Sequence, residues 1–242
     1  MRYKLTISYD GSYFNGYQRQ IGLPTVQGKI EEALKIIFKE DITIKSAGRT
    51  DTGVHAINQV AHFDSDINVP IKGLKKVLNK SLQPHIYIKD INIVDETFHA
   101  RLSATSKEYH YYISTNEYNP LKSSYVYYYN HNIDIDKIKK AMNCFIGTHD
   151  FKSLSKGHDK EETIRTIYSF DVAEKSGVYE FIIIGNGFLR NMVRIIMAIL
   201  LKVNENKISI DDVTKIINEK NRKTAPWLAP AEGLYLFNIF YN

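Results

Sequence analysis

One cysteine, Cys144, stands among 242 residues, so no internal disulfide can form, and no Cys-x-x-Cys pair is present. Its surroundings, "IKKAMNCFIG", carry the apolar spacing of a buried helical face, which predicts an inert core thiol. Long apolar runs are equally scarce. The strongest, "IIMAILL" at residues 195 to 201, falls far short of the ~20 residues that span a bilayer. The N-terminus, "MRYKLTISYD", reads as a strand and not as a signal peptide, so a soluble cytoplasmic protein is expected, without a membrane partner. Low-complexity segments and flexible linkers are missing too. His55, His62, His99 and His110 show no His-x-x-x-His spacing and no accompanying thiolates, so no metal site is expected.

What is present is an ordinary globular balance, 43% hydrophobic and 24% charged, with an excess of positive charge, +5. That excess favours polyanionic partners such as nucleic acid. The chain holds 17 tyrosines and 11 phenylalanines, which serve either as sheet and core packing or as base-stacking surfaces.

The order of elements can be read from periodicity. "YKLTISY" alternates as a half-buried strand, with Tyr3, Leu5, Ile7 and Tyr9 on one face. After a Gly-rich loop, "TVQGKIEEALKIIFK" forms a helical stripe with Thr25 as its N-cap. "ITIKSA" and "NQVAHFD" read as strands, "PIKGLKKVLNKSL" as a helix, and "HIYIKDINIV" as a strand. The second half repeats this order loosely. "SKEYHYYIST" and "SYVYYYN" are strand-like, and "DIDKIKKAMNCFIG" is an amphipathic helix. A hairpin turning at Lys175-Ser176-Gly177 follows, then helices in "FLRNMVRIIMAILLKV" and "SIDDVTKIINEK", the latter capped by Ser209, and a closing strand in "EGLYLFNIF". Each half approaches the order βαββαβ. An α+β protein is expected, with mainly antiparallel sheets in two halves, 1–103 and 104–242.

Residues 46 to 55, "SAGRTDTGVH", hold the densest group of reactive side chains. Asp51-Thr52-Gly53 also occurs in aspartic proteases, but a dyad there needs two such copies, and this long chain has one. Arg49 beside it would hold the carboxylate ionised, against the shared proton of a dyad. Asp51 therefore fits either a turn residue between Gly48 and Gly53 or a carboxylate nucleophile or base of another kind. A second feature bears on the choice. Arg194, in "RNMVRIIMAILL", lies on a helix that is apolar nearly all round, so it either snorkels, pairs locally, or meets a distant carboxylate. Arg190, one turn earlier, marks the end that emerges to solvent. Of the basic residues able to line a phosphate-binding surface, Arg19 and Arg101 are singled out.

Seven blocks then complete a pattern: "YDGSYFNGYQRQ", "TVQGKIEEAL", "AGRTDTGVHA", "FHARLSATSKEYHYYI", "GTHDF", "GFLRNMVRII" and "APAEGLYL". In this order, from residue 9 to 236, the chain resembles the TruA-type tRNA pseudouridine synthases. The resemblance implies conversion of uridines at positions 38 to 40 of the tRNA anticodon arm into pseudouridine, with no cofactor. It also implies homodimers whose chains carry two RRM-like halves, helices on one side of the sheets, and a basic active-site cleft between the halves. By the same resemblance Asp51 is the catalytic aspartate and Arg194 its partner. Tyr109 stacks on the target uracil, and Arg49 helps to displace the base from its stack. On its own residues Tyr109 reads first as one more sheet tyrosine in "YHYY". The departures are Thr52 where Ala is usual, Tyr17 where Trp is common, Ala198 where Gly is expected, and the loop "SKGHDKEET". The competing reading is a non-catalytic RNA-binding module with RRM-like sheets, although no K/R-G-F/Y block of that kind is present.

Overall fold

The computed structural model describes residues 1–157 and 162–242. The expected loop "SKGHDKEET" falls partly on residues 158–161, outside the described residues. In chain order the elements are β1 (Arg2–Tyr9), α1 (Val26–Phe38), β2 (Lys45–Ser46), β3 (His55–Asp64), α2 (Ile71–Leu82), β4 (Ile86–Val94), β5 (Ala104–Ser114), β6 (Tyr127–Tyr128), α3 (Ile135–Asn143), β7 (Gly147–Asp150), β8 (Ile164–Lys175), β9 (Val178–Gly185), α4 (Met192–Asn204), α5 (Ile210–Asn218) and β10 (Leu234–Tyr241). The protein is α+β. Its chain divides into two compact units, Met1–Thr105 with Tyr235–Asn242, and Ser106–Leu234.

In the first unit β1 lies between β4 and β3, antiparallel to both, and β2 extends the sheet beyond β3. The alternation of β1 is realised: Tyr3, Leu5, Ile7 and Tyr9 are buried. Helix α1 covers that face, its Phe38 meeting Tyr3 edge-on at 5.8 Å. Thr25 caps α1 by accepting the Gly28 N–H. Asn79 of α2 bonds the backbone of Ile88 in both directions, at 2.7 and 3.0 Å, and so ties that helix to β4. The closing strand β10, which element order assigns to the second half, pairs in parallel with β3 here, Tyr235 opposite His55. The strand read from "ITIKSA" shrinks to β2, because Ile44 gives its N–H to Glu31 of α1 at 3.1 Å and not to a neighbouring strand.

In the second unit the order is β5, β9, β8, β7, all antiparallel, with short β6 beside β5. The hairpin between β8 and β9 turns on Ser176 (φ 53°) and Gly177 (φ 74°), the paired positive angles that match strand twist. Helix α3 packs against α4, α5 and β8. Ser209 and Asp212 form a reciprocal capping box at the start of α5. Two expectations change. The strand in "SYVYYYN" is confined to Tyr127–Tyr128, because successive turns from Asn119 to Tyr125 consume its first residues. Cys144 is half-exposed and not a core thiol. The buried stripe runs Ile138, Ala141, Met142 and Phe145, a complete i, i+3, i+4, i+7 set that passes Cys144 by.

No helix among the described residues is long and apolar enough to cross a membrane.

Candidate active site

The motif loop of the first unit is fastened from its buried side. Alternation at the end of β1 turns Tyr9 inward, where its hydroxyl and Thr50 Oγ1 lie 2.8 Å apart. Gln59 of β3 approaches the same hydroxyl at 3.5 Å and donates to the Gly48 carbonyl at 2.8 Å. Burial pushes the Tyr9 phenol up to about 12, so it keeps its proton throughout the physiological range. Tyr17 gives its backbone N–H to the Thr50 carbonyl at 3.0 Å. Beyond Asp51 the chain closes a turn, Val54 N–H to Asp51 carbonyl at 3.1 Å, with Gly53 at φ 80°. β3 then begins at once with His55.

Two glycines allow the preceding loop to lie against this turn. A Cβ on Gly11 would stand 2.0 Å from the Val54 carbonyl oxygen. Gly16, at φ 89°, would place one 3.0 Å from the Thr50 oxygen. The Gly11 N–H donates to His55 Nδ1 at 3.1 Å, Asp10 lies 3.3 Å from the same nitrogen, and Tyr235 stacks on the His55 ring at 4.6 Å. The consequence is a fixed polarity. Thr50 faces the core, while Arg49 and Thr52 are exposed and Asp51 is half-exposed. A carboxylate is thus presented on a stiff turn.

Arg19 lies two residues past Tyr17, with its guanidinium 3.2 Å from Glu31 and its side chain largely exposed. Arg101 is elsewhere. Its turn is tied to the opposite end of β3, where Ala100 N–H donates to His62. The first unit therefore brings Arg49 and Asp51 together, places Arg19 two residues from Tyr17, which bonds their turn at Thr50, and leaves Arg101 apart.

The second unit carries Tyr109 and Arg194. Tyr109 on β5 is buried, and Phe188 meets it edge-on at 5.1 Å. Arg194 is the only residue from Met192 to Leu201 that is not buried. A strap formed by Ala229–Gly233 runs beside it. Arg194 Nε donates to the Ala229 carbonyl at 2.8 Å, and Ala229 N–H returns to the Arg194 carbonyl at 3.1 Å. The next strap residue, Pro230, accepts from the Tyr111 hydroxyl at 2.8 Å. Gly233 accepts from Tyr112 N–H at 2.8 Å, and a Cβ there would stand 2.7 Å from the Tyr112 oxygen. The strap thus fixes the direction of the Arg194 fork, which a flexible side chain on a bare helix would lack. Arg190 is exposed ahead of α4.

Sequence reasoning missed both supports. Tyr9, Gly11 and Gly16 sit inside the block "YDGSYFNGYQRQ", and the strap is "APAEG". Two glycines in one short loop were a usable signal, but the packing of that loop on the motif and the pairing of Tyr9 with Thr50 need the fold.

Comparison with known proteins gives a consistent result. A family model described as tRNA pseudouridine synthase matches residues 5–102 and 141–242. "tRNA pseudouridine synthase A" of Bacillus subtilis (strain 168) is 42% identical, over 100% of both chains. The protein of that name from Geobacillus sp. (strain WCH70) is 43% identical over 100% of this chain and 98% of its own. The one from Staphylococcus aureus (strain MRSA252) is 38% identical, over 100% and 92%.

Proposed function

The chain belongs to the tRNA pseudouridine synthase family, and on that premise we propose that it isomerises uridine to pseudouridine at positions 38 to 40 of the tRNA anticodon arm, with Asp51 as the catalytic carboxylate. The observation that carries the assignment of Asp51 is the stiff turn that presents it, anchored through Thr50 to Tyr9 and through Gly48 to Gln59.

The chemistry fits these residues. The bond from uracil N1 to ribose C1′ breaks, the ring turns, and a bond from C5 to C1′ forms. C5 gives up its proton and N1 gains one, so nothing is oxidised and no co-reactant is needed. Asp51 acts either as a nucleophile toward sugar or base, or as the base that takes a proton from the loosened sugar. Both roles need it ionised. We assign Arg194 to hold it so, by pairing across an active-site cleft between two RRM-like halves. The strand order β4, β1, β3, β2 in the first unit suits such a half. Extrusion of the target base costs a few kcal/mol. Tyr109, stacking on the uracil, returns about 1–3 kcal/mol of that. Arg49, on the same turn as Asp51, fills the place of the displaced base. Arg19 and Arg101 hold phosphates. The protein works as a cytoplasmic homodimer without a cofactor.

The test is to incubate the protein with tRNA transcripts bearing uridines in the anticodon arm and map pseudouridine to single nucleotides. Product confined to positions 38 to 40 is expected. Product only at other positions would overturn the site assignment, and none at all would overturn the reaction.

A further inference from the structure

Two histidines, His62 at the end of β3 away from Asp51 and His99 in the turn packed against it, take no part in the machinery above. His62 is buried, and its partners in register are Lys4 on β1 and Lys45 on β2. Residues paired directly across strands share a face, so Lys4, His62 and Lys45 form a row across three strands. This is the face turned from α1, since the alternate residues Tyr3 and Phe63 stack together and both meet Phe38 of that helix.

The turn at residues 98–103 covers the row and fixes the chemistry of the histidines. Ala100 N–H donates to His62 Nδ1 at 3.1 Å, and the N–H groups of Arg101 and Leu102 donate to His99 Nδ1 at 3.2 and 3.3 Å. An imidazole nitrogen that accepts carries no hydrogen, so each neutral ring holds its hydrogen on Nε2. The two rings lie edge to face, 4.7 Å between centroids. His62 Nε2 is enclosed and meets no acceptor. A buried donor without a partner is rare in a folded protein and calls for an explanation.

The surroundings say what kind of acceptor is missing. Burial, then His99, Arg2 and Lys45, hold His62 down to about 4. Burial, then Lys45, Arg2 and Arg101, lower His99 also. The nearby acid, Asp64, is taken by Arg2 in a two-pronged pair at 2.7 and 2.8 Å. Lys4 Nζ is held over the rings of Phe98 and Tyr241 at 5.2 and 4.7 Å. Lys45 and Arg101 are exposed. Donors and cations converge here, and water would answer only the donors.

We propose that His62, His99, Lys45 and Arg101 form a site for one backbone phosphate of the RNA substrate, distant from the reacting nucleotide. The proposal rests on the function given above and adds a residue set to it. Seven residue steps along β3 separate His55 from His62, about 23 Å at the rise of a strand. The phosphate therefore belongs to a remote part of the RNA, and the site positions the substrate without touching the reaction. His99 lies against His62, so an anion that reaches His62 Nε2 must shift the His99 ring. A contact with surface lysines alone would leave both rings undisturbed.

The test uses full-length tRNA and inorganic phosphate as separate probes. Ring ¹⁵N signals of His62 and His99 are followed by NMR during titration, and tRNA affinity is measured from 50 to 200 mM salt for wild type, Lys45→Gln and His99→Asn. Asn keeps an acceptor where Nδ1 stands and lacks the Nε2 hydrogen. Melting temperature checks that each variant folds. We expect tRNA to shift both Nε2 signals. Lys45→Gln should flatten the salt dependence by about one phosphate contact, so that it loses about fourfold less affinity across that range than wild type. Its defect should fall on KM and spare kcat. Perturbation by inorganic phosphate but not by tRNA would assign the site to a free anion and overturn the proposal. Undisturbed rings with both probes, or an unchanged salt slope, would overturn it as well. A wild type that binds tRNA and forms pseudouridine while the variants match it sinks this inference alone. A wild type that neither binds nor converts sinks the function too.

Discussion

The bond between Tyr9 and Thr50 is the most exacting place to test how the Asp51 turn is held. Thr50→Val keeps the shape of the side chain and removes one oxygen, leaving the buried Tyr9 hydroxyl with only the long 3.5 Å approach of Gln59. Tyr9→Phe removes the opposite oxygen and strands the Thr50 hydroxyl, which is 7% exposed. Each change leaves one buried group unsatisfied and is expected to cost about 1–3 kcal/mol. The double variant leaves neither group wanting, so its cost should fall short of the sum by about 1 kcal/mol. Urea unfolding of the four proteins gives these values from the midpoints, provided the slopes agree. Turnover measured alongside should fall in both single variants, because the same bond fixes the backbone next to Asp51. Effects that add to within about 0.3 kcal/mol would refute the coupling. A Thr50→Val protein as stable and active as wild type would refute the anchoring role altogether.

Other consequences follow from the same geometry. Gly11→Ala forces a Cβ to within 2.0 Å of the Val54 oxygen, a backbone atom, so a loss of about 3 kcal/mol or more, or failure to fold, should appear in thermal melts. His62, held down to about 4 by burial and neighbouring cations, favours the folded state most fully above its unfolded value of about 6.5. That stability is lost as pH falls toward 4, at most about 3 kcal/mol, and His62→Asn should flatten this part of the pH profile of chemical unfolding. Arg194→Ala should lower turnover nearly as far as loss of Asp51 does, although it touches no reacting atom, and single-turnover rates near wild type would contradict its pairing role.

Local rules made most elements legible in advance. β1 declared itself by alternation, α1 by its stripe and Thr25, and the β8–β9 hairpin by Ser176-Gly177. What escaped depended on tertiary partners. β2 is short because a glutamate on α1 competes for its backbone, which no window of sequence reports. Cys144 looked like part of an apolar stripe, yet the stripe closes without it. The parallel pairing of β10 with β3 is a long-range choice that element order alone gets wrong. At the site, motif and resemblance pointed to Asp51 and Arg194, but not to what stiffens them. Tyr9 sits more than forty residues from Thr50, and the strap sits some thirty-five from Arg194. Chemistry marked Asp51 and charge marked Arg101, and the fold holds their turns near opposite ends of β3.

The central claim is that Asp51 does the chemistry. The direct measurement compares wild type with Asp51→Asn for tRNA binding and for single-nucleotide pseudouridine yield in one unmodified transcript. The expected result is retained binding with no product from the variant, against full conversion by wild type. Conversion by Asp51→Asn at a rate near that of wild type would contradict the claim and leave the motif a well-anchored turn.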